Sequence, residues 1–314
     1  MSDLRQSVDC ATALPRGVEW GTLVLILACY GLWLLVLFLL PGLGLGLSVL
    51  CLGGLAALHS SLSHEALHGH PFRRPGWNEA LLFLPLSLFI PYGRFRDTHL
   101  AHHRDDRLTD PYDDPESNFQ DPEVWARMPG WRRLLLRTNN TLLGRVLLGP
   151  LVGQICFMIG DWRLMRGQGR DVERQAVLRD WGLHGLGLGV VITITLASPT
   201  PLWVLFLGGY IGLALLKIRT FLEHRAHAEC HSRTVVVEDR GPLAWLFLHN
   251  NLHIVHHMHP GVPWHALPRL YRENRDLFLS MNQGYHYKSY GQVFLRYLLR
   301  SKDPVPHPLW SSED

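Results

Sequence analysis

The apolar positions of this chain collect in long runs instead of alternating with polar ones. One run covers about residues 20–40 and a second about 43–63, parted only by Pro41-Gly42. Two more cover about 181–197 and 202–216, parted by Ser198–Pro201. A helix needs about 20 mostly apolar residues to cross a bilayer. Runs of this kind, punctuated by proline and glycine, predict an all-α fold with four transmembrane helices in two hairpins. Two shorter runs, Ala80–Pro91 and Val146–Gly160, contain proline and are too short to span, so interfacial or re-entrant positions are expected. The polar segments are expected to form a helical cap over one end of the spans. Its last part, Gln283–Leu299, reads as a helix that covers the functional site from the cytosolic side, with an ordinary amphipathic helix lying on the membrane as the alternative. The 314 residues are expected to make one membrane-embedded domain.

Charge orients these spans. The turns at Pro41-Gly42 and Ser198–Pro201 carry none, whereas the opposite side carries many arginines, among them Arg5, Arg73, Arg74, Arg94, Arg132 and Arg170. Such an excess marks the cytoplasmic side. Both termini and all histidine-rich segments are expected there, in a protein of the bacterial inner membrane. The polar N-terminal segment has no cleavage-site pattern, so the first run reads as a retained span and not as a removed signal. A net charge of +3 without a basic, aromatic-studded stripe argues against nucleic acid as a partner. The five cysteines fall at no metal-binding or redox spacing.

Histidine changes the picture most. The chain holds 19, and three clusters stand out: His64 and His68 in HEALH, His99, His102 and His103 in HLAHH, and His253, His256 and His257 in HIVHH. At this histidine frequency roughly 0.07 H-x-x-H-H patterns are expected by chance, and two are present. On a helix, residues three and four apart share a face, so each H-x-x-H-H segment is a three-nitrogen claw. From Leu43 to His68 is 26 residues, roughly 39 Å of helix, which exceeds a hydrocarbon core of roughly 30 Å. The second span thus carries His64 and His68 out of the lipid. The fourth run leads in the same way to Glu223, His224 and His227, where either histidine is a further ligand candidate. Imidazole suits iron, copper, nickel and zinc, and so many ligands imply two ions. Glu65, Asp105, Asp106, Asp110 and Glu223 are carboxylates placed to orient imidazoles. Lone histidines are most often structural, and His59, His184, His286 and His307 take that reading. Asn251 reads as a helix cap or as a partner of metal-bound water. Trp264 and His265 read as interface anchors or as lining of a substrate entrance.

These boxes, in this order and after membrane runs, resemble the signature of the membrane-bound fatty acid desaturase and hydroxylase superfamily. The resemblance covers about Trp20 to Leu299. It implies a non-heme di-iron centre (Fe2+/Fe3+) held by histidines and O2 as oxidant. It also implies an external electron-transfer protein of ferredoxin, rubredoxin or cytochrome b5 type. It further implies a ligand between the second and third boxes. The Glu-His pair of the alkane hydroxylases matches Glu223-His224, which favours His224 over His227. The expected reaction removes hydrogen from an unactivated C–H bond of a hydrophobic, acyl-type substrate drawn from the bilayer. A second abstraction gives a double bond, and oxygen transfer gives an alcohol. Desaturation of a fatty acyl or other lipid chain is the first expectation. Hydroxylation, ketolation or oxidative demethylation is the alternative. The context of boxes two and three looks most like a bacterial branch that includes enzymes resembling rhizopine oxygenases, which act on a small polar ether. A divalent-metal transporter is the rival of another class. Transport sites usually sit at the bilayer midplane on interrupted helices, whereas these clusters follow the spans.

Overall fold

The computed structural model describes residues 17–104 and 107–310. Asp105 and Asp106, considered above as orienting carboxylates, and the chain termini lie outside the described residues. In chain order the helices are α1 (Trp20–Leu39), α2 (Leu45–Leu67), α3 (Pro75–Leu81), α4 (Tyr92–His102), α5 (Pro122–Arg127), α6 (Gly130–Asn139), α7 (Leu142–Leu147), α8 (Gly149–Met165), α9 (Asp171–Leu196), α10 (Leu202–Thr220), α11 (Pro242–Leu246), α12 (His253–Met258), α13 (Leu267–Glu273), α14 (Arg275–Met281) and α15 (Tyr290–Tyr297). Two short parallel strands, β1 (Val236–Val237) and β2 (His286–Tyr287), pair Val236 with His286 and Val237 with Tyr287. The chain divides into two compact units, one of residues 98–148 and 217–310, the other of 17–97 and 149–216.

The second of these units holds most of the apolar length. Among the described residues, four helical stretches have the length and composition to cross a membrane: Trp20–Gly42, Leu45–Leu67, Asp171–Leu196 and Leu202–Thr220. α1 and α2 are joined by a single turn of 3-10 helix, Leu40–Gly42, and Gly44 at φ 134° occupies backbone space that favours glycine. Tyr30 on α1 donates its hydroxyl to the Leu84 carbonyl at 3.1 Å and lies 3.3 Å from His59 of α2. α2 and α10 approach closely through small residues. A Cβ on Gly53 would stand 2.6 Å from Ile211, and one on Gly212 would stand 2.7 Å from the Ala56 methyl. Without a hydrophobic drive between helices in lipid, such close packing is what holds them together.

One expectation on an element boundary needs correction. The third span begins at Asp171, ten residues before the expected 181. Acidic Asp171 and Glu173 sit in its first turn, where the helix dipole favours negative charge, and Glu173 accepts the Arg170 N–H at 3.0 Å. Hydropathy sees only the apolar part of a helix whose polar start is set by these groups. The run Val146–Gly160 lies largely in α8, a 17-residue helix, because Pro150 falls in its first turn, where the missing N–H costs nothing. The run Ala80–Pro91 leaves the helix after Leu81 and turns at Leu88 (φ 65°). His184 of α9 donates from Nε2 to the Leu88 carbonyl at 2.9 Å, so this lone histidine is structural.

In the other unit a buried core gathers Val236, Leu252, Ile254, Val255, Leu270 and Phe278 among others. The third box sits on this core: Ile254 and Val255 of HIVHH point into it, which leaves His253, His256 and His257 for another face of α12. The segment Gln283–Leu299 is not one helix. Gln283 and Gly284 turn at positive φ, and Tyr285 and Tyr287 both bury their rings, at the two-residue period of a strand. Only then does Ser289 cap α15 by accepting the Gln292 N–H at 3.2 Å.

Candidate metal centre

Four histidines of the first unit converge although they come from three distant stretches. His102 lies at the end of α4, His224 follows α10, and His253 and His257 lie on α12. One ring nitrogen from each falls within 4.8 Å of the others. His224 Nε2 is 2.9 Å from His102 Nε2 and 3.1 Å from His253 Nε2. Nitrogens at right angles around an ion bound at about 2.1 Å lie about 3.0 Å apart, so the spacing fits a shared first-row metal ion. His99, His103 and His256 form a second group, in which His103 Nε2 is 3.0 Å from both His99 Nε2 and His256 Nε2. His64 and His68 stand in the other unit at the end of α2, with ring centroids 5.0 Å apart. His227 stands apart from both groups and accepts the Glu229 N–H on Nδ1 at 3.0 Å.

The outer nitrogens are held as a ligand's would be. His102 Nδ1 meets Asp114 Oδ1 at 2.7 Å, His99 Nδ1 meets Glu116 Oε1 at 2.8 Å, and His253 Nδ1 meets Asn250 Oδ1 at 3.0 Å. Partners of this kind fix the tautomer and turn the inner nitrogen's lone pair toward an ion. Asp114 is itself fixed, since it accepts the backbone N–H groups of Thr109 and Glu116, each at 2.9 Å. Burial disfavours the charged form of His102, but Glu116 and Asp114 outweigh it and carry its pKa up to about 9. Burial, reinforced by neighbouring histidines, holds His224, His253 and His257 well below the ordinary imidazole value. A neutral imidazole is the form that binds metal.

Sequence reasoning missed Asp114, Glu116 and Asn250. The acidic run Tyr112–Glu116 after box two was the available signal. Of the carboxylates it did consider, Asp110 accepts the N–H groups of Tyr112 and Asp113 and shapes the loop. Glu65 lies 3.8 Å from His64 Nδ1, and Glu223 lies 2.7 Å from Arg219 Nε and 3.7 Å from His253 Nδ1. Asn251 does not cap α12; its side chain donates to the Val237 carbonyl at 2.6 Å. Trp264 is buried beside His249 and Trp245, and His265 is exposed.

Apolar helices of membrane length together with clustered, carboxylate-oriented histidines define a class: helical membrane proteins with histidine clusters able to hold metal. Residues 40–289 match the family model for fatty acid desaturase, and the chain belongs to that family. It is also 27% identical over 261 residues to a beta-carotene ketolase of Paracoccus sp. (strain PC1), an alignment that covers 78% of this chain and 86% of the ketolase. Both matches make the chain a membrane oxidoreductase.

Proposed function

We propose that this protein is an O2-dependent di-iron oxidoreductase that desaturates a fatty acyl or other lipid chain. The observation that carries the reading is the convergence of His102, His224, His253 and His257, with the outer nitrogens of His102 and His253 fixed by Asp114 and Asn250. These four residues hold one iron. The second is held by His99, His103 and His256, and the histidine-box signature adds His64 and His68 to the ligand set; His227 is left out of it. When bound, the two irons supply reduction of O2 to an oxidant able to take hydrogen from an unactivated C–H bond. The chain's own part is to keep the imidazoles of His224, His253 and His257 neutral, to aim the Nε2 of His102 by its contact with Asp114, to hold the ligand helix α12 on a dry core, and to exclude bulk water by burial. Four spans in two hairpins would anchor a cytosolic cap, and a separate electron-transfer protein would supply electrons from the cytoplasm. The transporter reading loses ground, since the matched family and relative are oxidative.

A second reading, ketolation, rests on the relative named a beta-carotene ketolase. The two leave different marks. Desaturation removes two hydrogens from the substrate, whereas ketolation replaces two hydrogens by oxygen. Acyl lipids and carotenoids should therefore be compared by mass in cells with and without the gene, grown with oxygen. His102→Ala should abolish iron loading and turnover and leave membrane insertion intact. Full turnover in that variant would remove box two from the site.

A further inference from the structure

Beside His224 lies a cavity of about 50 Å³, room for about three waters. Its lining includes exposed Asn118 and Pro304 as well as half-buried His224. Four residues of that lining hold a buried polar atom with no hydrogen-bond partner in the protein; Glu223 Oε1 and Asp303 Oδ2 are ion-paired with Arg219 and Lys302, which leaves Thr220 Oγ1 and His224 Nδ1. Buried polar atoms are rarely left unpaired, and a ligating histidine almost always has an outer partner, which is water where no side chain serves. His102 and His253 use Asp114 and Asn250 for this purpose, and His224 has the cavity. The charged lining is four carboxylates, Asp114, Glu116, Glu223 and Asp303, against two cations, Arg145 and Lys302. A recess with an acidic excess concentrates cations. Lys302 donates to the His224 carbonyl and pairs with Asp303 at 3.0 Å, which braces the His224 backbone.

We infer that this cavity is the port through which ferrous iron reaches and leaves the cluster of His102, His224, His253 and His257, with water held between Thr220 and His224. The inference rests on the di-iron reading above. It assigns the passage to lining residues that are not themselves proposed ligands, Thr220 and Asn118 among them. A plug in the passage slows loading and loss alike and leaves the affinity where it was.

The test follows ferrous iron uptake by the apo-protein in detergent under argon, and its loss to a ferrous chelator, by absorbance and by metal analysis. Thr220→Leu, which fills the cavity, should slow both rates at least about tenfold with the same final iron content. Thr220→Ser should keep both rates near those of the unaltered protein. Asn118→Cys, folded first and then blocked at the exposed mouth with a bulky thiol reagent, should reproduce the slowing relative to unaltered protein treated alike. Rates within about twofold of normal in both plugged forms, at full iron content, would overturn the port and leave the di-iron reading standing. An unaltered protein that retains no iron would overturn that reading itself.

Discussion

Asp114 shows how much one side chain outside the ligand set can decide. It is 5% exposed, touches His102 at 2.7 Å, and is held in turn by two backbone N–H groups. Its charge favours the Nδ1–H tautomer of His102, which leaves Nε2 free to bind an ion. Asp114→Asn keeps the size of the group and removes the charge. Iron affinity, measured by competition with a graded ferrous chelator, should fall about 10–100-fold, with the fold intact by thermal melting. An unaltered affinity would show that the contact does not act on the metal site. The histidine boxes proposed as ligands were legible because helical spacing is local: three or four residues along one helix suffice, whereas His224, which follows α10, stood out only through the resemblance of Glu223-His224 to a known pair. The orienting residues were not, because Asp114 and Glu116 return to His102 and His99 across 12 and 17 residues of loop. That path turns at Thr109, whose φ is 72°, and no periodicity in the sequence announces such a turn.

Among whole helices, membrane-length apolar runs were readable because lipid demands continuous apolar surface. The polar start of α9 was not, for its residues make contacts that hydropathy does not score. The same holds for the base of α4, the helix that carries box two. Arg94, two residues from its start, forms a two-pronged ion pair with Asp161 of α8, with contacts between 2.8 and 3.1 Å. Trp181 of α9 donates to the same carboxylate at 2.7 Å. Three helices are thus joined at one buried charge. Breaking a buried pair from one side leaves the other charge stranded, at a cost of about 3–5 kcal/mol. Arg94→Ala should therefore lower the melting temperature in detergent sharply. Arg94→Met combined with Asp161→Leu should recover much of the loss, since an apolar pair of similar volume strands no charge. A single variant that melts with the unaltered protein would show that the pair is dispensable.

Across the molecule, proposed ligands lie far apart in sequence: His224 is 122 residues from His102 and 29 from His253. Within the unit that holds them, an ion bound to all of them acts as a cross-link among α4, the segment after α10, and α12. A ligand that binds only the folded state stabilises it, by about 2.7 kcal/mol when present at a hundredfold its dissociation constant. On the proposed reading this stabilisation is local in origin. Removing iron with a chelator should speed hydrogen exchange at residues 99–103, 221–227 and 250–258, the stretches that the ion ties together. α1, whose residues include none of the proposed ligands, should keep its protection, because its hydrogen bonds are its own and local opening is graded by region. Exchange followed by mass spectrometry with and without chelator separates these cases, and restoring ferrous iron should restore protection in the same three stretches. Uniform loss across every helix would mean that the metal supports the fold as a whole. No change anywhere would mean that imidazole packing alone holds the cluster, and the centre would then be a structural knot of histidines with no ion to serve.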